Sequence, residues 1–119
     1  MAGVLVMARR HAKGFLEARA RRGSGRHGEI LARFLQSDVQ GDVTTAQAFL
    51  YEIAAAERGD NPRPGGVGNA FSITIAPDGA VIRNAVIEGS TPEHYSLGEL
   101  RAALENWVAA IEHARVGHE

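Results

Sequence analysis

Residues 68–87 read GNAFSITIAPDGAVIRNAVI, and residues 95–111 read YSLGELRAALENWVAAI. Between Gly68 and Ile111 these stretches specify a β-hairpin followed by a capped amphipathic helix. Phe71-Ser72-Ile73-Thr74-Ile75 alternates apolar and polar side chains, the period of a half-buried strand. Ala76-Pro77-Asp78-Gly79-Ala80 is a tight turn, in which Pro77 presets φ and Gly79 accepts a positive φ. The expected hairpin is 70–76/80–87. Setting Ala76 opposite Ala80 puts Ile75 against Val81, Ile73 against Arg83 and Phe71 against Ala85. That register leaves an arginine on the apolar face. Either its stem packs while its head reaches water, or the register differs and Ile82 turns inward.

The helix that follows is specified at both levels. Ser96 and Glu99 have capping-box spacing, in which each side chain satisfies the other's free backbone N–H, and Tyr95 can staple onto Leu100. Leu97, Leu100, Leu104, Trp107, Val108 and Ile111 share one face, and Arg101, Glu105 and Glu112 occupy the other.

Upstream, Ile30, Leu31, Phe34 and Leu35 predict a helix over 28–37. A second helix starts at Thr44 or Thr45, with Thr44 and Gln47 as a capping box and Ala46, Phe49, Leu50, Ile53 and Ala54 buried. Gly59 closes it. Asp60-Asn61-Pro62-Arg63-Pro64-Gly65-Gly66 is a loop. The fold class is α+β: a small antiparallel sheet packed against two N-terminal helices and a C-terminal amphipathic helix.

Residues 1–26 are harder to place. The composition of 8–22 allows a basic helix, weakened by Gly14 and broken by Gly23-Ser24-Gly25. The expectation is a basic N-terminal arm, a solvated tail or a segment outside the native domain, since Met7 offers a second start. Residues 27–119 then form a single α+β domain. The 119 residues suit one domain with a modest core.

Charge is divided along the chain. Residues 1–33 carry eight of the thirteen Lys and Arg against Glu17 and Glu29, net +6, while 34–119 hold five basic residues against twelve acids, net −7. Absence of cysteine excludes disulfides and thiolate chemistry. No apolar run approaches the ~20 residues of a membrane span, and Gly3–Ala8 is too short for a secretory core. A cytoplasmic location is expected.

Little in the sequence suggests catalysis. His11, His27, His94, His113 and His118 lack metal-ligand spacing and are read as exposed. No GxSxG elbow supports a nucleophilic serine. Gly65-Gly66-Val67-Gly68-Asn69 precedes a strand, whereas a phosphate cradle needs a helix. His94 beside Glu93 offers a general base without a matching nucleophile. No catalytic residue, metal or cofactor is expected. Asp38, Asp42, Glu52, Glu57, Asp60, Glu88 and Glu93 fall at helix ends and in loops. There they can steer a basic partner.

One resemblance follows from these residues. The run Ala46–Ile53, then Gly68–Ile75, Val81-Ile82-Arg83-Asn84 and Ser96–Trp107 resembles small immunity proteins of contact-dependent growth inhibition and related bacterial polymorphic toxin systems, over roughly 30–112. The resemblance implies a cytoplasmic, non-enzymatic protein that binds and neutralises one cognate toxin domain, often a nuclease. It carries over no binding residue by position and does not cover the basic segment. The alternatives are a nucleic-acid-binding or regulatory module using residues 1–26, and a small enzyme using His94 and a carboxylate. An exposed sheet edge could also support a homodimer.

Overall fold

The computed structural model describes residues 5–10, 16–60, 66–67, 70–84 and 90–116. In chain order the elements are β1 (Val6–Arg10), β2 (Leu16–Ala20), α1 (Gly25–Phe34), a π-helical turn (Leu35–Val39), α2 (Val43–Glu57), β3 (Gly66–Val67), β4 (Phe71–Ala76), β5 (Gly79–Asn84), β6 (Glu93–Tyr95) and α3 (Leu97–Val116). The strands form an antiparallel ribbon, β1-β2, and an antiparallel sheet of order β3-β4-β5-β6. The class is α+β.

In the central hairpin Ile73 faces Ile82, Ile75 faces Ala80 and Ala76 faces Gly79. Only Pro77 and Asp78 lie in the turn, one residue fewer than the first register requires. Of the two registers left open by the sequence, this one turns Ile82 inward, where it is fully buried, and Arg83 outward. A one-residue slip would exchange the two faces of the strand. Burying isoleucine instead of a guanidinium decides between them. Residues 85–87 of the expected return strand lie outside the described residues.

Residues 8–10 and 16–22, expected within a basic helix, are not helical. Val6 pairs with Ala20, Met7 with Arg19, Ala8 with Ala18 and Arg9 with Glu17. Leu5 and Val6 are buried, and Ala8, Leu16, Ala18 and Ala20 pack against the core. This packing outweighs the helix propensity of Ala, Leu, Glu and Arg. The segment expected as a basic arm is, over its described residues, built into the body against α1 and α3.

Each rim of this ribbon meets a side-chain amide. Gln36 accepts from the Ala18 N–H at 2.6 Å and donates to the Leu16 carbonyl at 2.9 Å. It thereby mimics the peptide group of a neighbouring strand. On the other rim the Ala8 N–H donates to Asn106 Oδ1 at 3.3 Å.

The first helix starts at Gly25, earlier than expected, and its last turn widens into the π-helical segment. Gln40 follows with φ 55 and ψ −144, a conformation uncommon outside glycine. Its carbonyl accepts the Trp107 indole N–H at 2.5 Å. Helix α2 is capped by Asp42, not by the expected Thr44 box. The Asp42 carboxylate accepts from the Thr44 N–H at 3.0 Å and the Thr45 hydroxyl at 2.7 Å. A carboxylate is a stronger cap than threonine and complements the helix dipole. At the other end Gly59 takes φ +79, its N–H donates to Ala56 O at 3.0 Å, and the Asp60 N–H donates to Ala55 O at 3.0 Å. That is the Schellman pattern expected of a glycine in this position.

Helix α3 begins as its sequence specifies. The Glu99 N–H donates to Ser96 Oγ at 3.0 Å, and the Ser96 N–H donates to Glu99 Oε1 at 2.9 Å. Its buried stripe holds Leu97, Leu100, Ala103, Leu104, Trp107 and Ile111, and the helix packs on α2, β1 and β5. Phe34 sits edge-on to Phe49 at 5.4 Å and to Phe71 at 6.5 Å, linking α1, α2 and β4 across the core.

Candidate functional site

Two features stand apart from the packing. The first is the outward side of α2. Buried Ala46, Ile53 and Ala56 hold the helix against the body, with Phe49 and Leu50 half-buried beside them. Thr44, Gln47, Ala48, Tyr51 and Ala55 recur at helical spacing on the opposite side. Tyr51 is 72% exposed at the centre of that stripe. Ala48 and Ala55, one turn to either side, add little bulk beside the ring.

The acids expected to meet a partner are divided by the fold. Asp42 caps the start of α2, Glu52 lies half-buried along it, and Glu57 and Asp60 are exposed at its end. Four of the seven therefore gather on one element. Glu57 pairs with Arg101, and Asp60 pairs with Arg58 at 3.1 Å, both near the surface. Such pairs contribute little and exchange readily with a partner's charges. Hydrogen bonds from the Thr45 hydroxyl and from backbone N–H groups hold the Asp42 pKa below its ordinary value.

Asp38 and Glu93 lie elsewhere and are occupied within the chain. Asp38 accepts from the Ala70 and Phe71 N–H groups, each at 3.0 Å, and thereby fixes the start of β4 against the π-helical turn. Glu88 lies outside the described residues.

The second feature is centred on His27, which the sequence reading placed among exposed histidines. Its imidazole is half-buried and stacks on Tyr95, with centroids 4.3 Å apart and planes 24° apart. Nδ1 lies 2.9 Å from Glu93 Oε2 and Nε2 lies 3.2 Å from Glu99 Oε2. Carboxylates only accept, so this geometry suits the doubly protonated ring. Burial, the largest single influence, opposes that charge. Hydrogen bonds and attraction from both glutamates outweigh it, and the pKa is raised above 6.5.

Around the ring, Arg26 donates to Glu93 at 2.6 Å and to the Thr91 carbonyl at 2.7 Å. The Tyr95 hydroxyl donates to the His27 carbonyl at 2.6 Å, and burial pushes its pKa well above the ordinary range. Burial raises the Glu99 pKa, but its bonds to Ser96 and His27 outweigh this and lower it. The cluster ties α1 to β6 and to the start of α3.

His94 lies exposed on β6, by a shallow groove of about 160 Å³ that also meets Thr74 and Asp78. Among the described residues no hydrogen bond joins these three groups. A larger groove of about 400 Å³ lies over Leu16, Gln36, Gln40, Gly41 and Trp107. Among the described residues no helix is long and apolar enough to cross a membrane.

Tyr51 and His27 are the residues that sequence reasoning missed. Tyr51 was legible from the helical period of α2, because it lies across from Ile53 and Phe49. His27 had a fainter signal: a capping-box glutamate has a second oxygen free to hold another group. Comparison with protein-family models, curated proteins and solved structures finds no match for this chain.

Proposed function

We propose that this protein is a non-enzymatic inhibitor of the immunity type. It binds a cognate bacterial toxin domain, with a nuclease the favoured class, in the cytoplasm. The outward face of α2 makes the contact. The observation that carries this reading is Tyr51, 72% exposed on the outward side of α2, with Asp42, Glu52, Glu57 and Asp60 along the same helix and at its ends. Tyrosine is over-represented among the residues that dominate interface energies. Acids around it complement the basic cleft of a nuclease and speed encounter through opposite fields. The pattern likeness to immunity proteins supports the same class of partner.

The test is co-expression with the product of the neighbouring upstream gene. The expected result is co-purification of a toxin domain, and a loss of about thirtyfold in affinity for Tyr51→Ala, the ~2 kcal/mol of an interface anchor. The exposed position of Tyr51 means that the substitution leaves the fold intact. An upstream gene with no toxin-like product, or equal binding by both variants, removes the reading. Self-association that Tyr51→Ala abolishes would instead assign the face to a second copy of this chain.

A further inference from the structure

The register of β1 and β2 sorts their side chains onto two faces. Val6, Ala8, Ala18 and Ala20 turn toward the core, and Met7, Arg9, Glu17 and Arg19 turn away from it. The contrast is sharp between neighbours: Val6 is 1% exposed and Met7 is 52% exposed. Arg9, Arg19, Arg21 and Arg22 are all exposed. Arg9 and Arg19 stand on this outer face, and Arg21 and Arg22 lie just beyond β2 beside it, where the Arg21 N–H donates to the Leu5 carbonyl at 2.7 Å. Among the described residues of the two strands one carboxylate stands against these arginines, Glu17, 3.7 Å from Arg19.

Both rims of this ribbon are held by Gln36 and Asn106, so its outer face is what it presents. We propose that this face docks on double-stranded DNA through the phosphate backbone. With α1 and α3 along its two rims the ribbon lies across the phosphate backbone and does not enter a groove, and the dense, regular charge of double-stranded DNA suits it. Exposed arginines neutralise phosphates and release counterions. Among the described residues the face offers no aromatic ring for stacking on unpaired bases. Among the described residues, Met7 is the one exposed apolar side chain it offers as an anchor for a protein partner. Binding is therefore backbone-directed and independent of base sequence. This surface is separate from the α2 face and does not depend on the inhibitor reading.

The experiment is fluorescence anisotropy of a labelled DNA duplex of mixed sequence, titrated with the full chain at several salt concentrations. With four phosphate contacts, affinity falls about a hundredfold between ~50 and ~200 mM salt. The variant Arg9→Ala/Arg19→Ala/Arg21→Ala/Arg22→Ala, checked for native circular dichroism, loses most of the binding and most of the salt dependence. Glu17→Gln, which removes the one opposing charge, tightens binding severalfold and keeps the proposal testable if the quadruple variant misfolds. Tyr51→Ala binds DNA like the parent, whatever its effect on a protein partner. The proposal is overturned if the parent shows no binding at low salt. It is equally overturned if the quadruple variant keeps the parent's affinity and salt slope, if Glu17→Gln binds no tighter, or if polyglutamate binds as well as DNA.

Discussion

His27 shows how one side chain can make stability depend on pH. Its pKa is raised in the folded state. The stabilisation is therefore fully present below the unfolded value of about 6.5 and is lost as pH rises through the folded value. Glu99 has the opposite sign. Its pKa is lowered, so its contribution is present above about 4.5 and is lost as pH falls through the folded value. The two contributions coexist between these limits, and urea stability should be greatest there. His27→Gln should lower stability in that window and flatten its decline toward neutral pH. A variant as stable as the parent from pH 5 to 8 would show that the cluster is energetically idle. None of this was legible locally, because Glu93 and Glu99 lie 66 and 72 residues from His27 in sequence. Asp38 has the same history. It reads as a loop acid, yet its oxygens serve backbone groups 32 and 33 residues away.

At the scale of elements, α3 is the one the sequence describes most fully. A capping box and a 3.6-residue stripe are codes within a few residues of each other, and the folded helix uses both. Ser96→Ala should cost about 1 kcal/mol, seen as a shift of the urea midpoint without a change of slope. Ser96→Asp should recover most of it, since aspartate also caps. Failure of Asp to rescue would mean that Ser96 matters for something other than the cap. The β1-β2 ribbon is the contrasting case. Val6-Met7-Ala8-Arg9-Arg10 and Leu16-Glu17-Ala18-Arg19-Ala20 carry good helix formers and only a short apolar alternation. What makes them strands is burial against α1 and α3, which no local window contains. The start of α2 is intermediate. Both Asp42 and Thr44 are competent caps, and the charge of Asp42 at the helix dipole separates them only once the chain's direction into the helix is known.

For the whole molecule, the α+β class and the central hairpin follow from sequence, while the exposure of the α2 face and of the ribbon's outer face does not. The period of α2 sets Tyr51 opposite Ile53 and Phe49, but how far the ring stands exposed depends on which elements leave that side uncovered. The arginines become a face only after the ribbon has a register. Long-range hydrogen bonds also set the order in which parts can be completed. Ala8 reaches Asn106 across 98 positions, and Trp107 reaches Gln40 across 67. Contacts at such separation slow folding, because the connecting loop must close before they form. Asn106→Ala should change equilibrium stability by only about 1 kcal/mol. It should lower refolding yield more steeply with protein concentration than the parent does. Yields that match at every concentration would show that this rim needs no guard.

The amide at position 106 also has a consequence during synthesis. The ribosome releases the first strand long before it makes the asparagine that closes that strand's outer side. Through most of translation the nascent chain therefore carries an open N-terminal rim, able to pair with any passing strand. Its protection arrives only with α3, so a chain cut short before Asn106 leaves the outer rim of β1 open to pairing, for want of a residue not yet made.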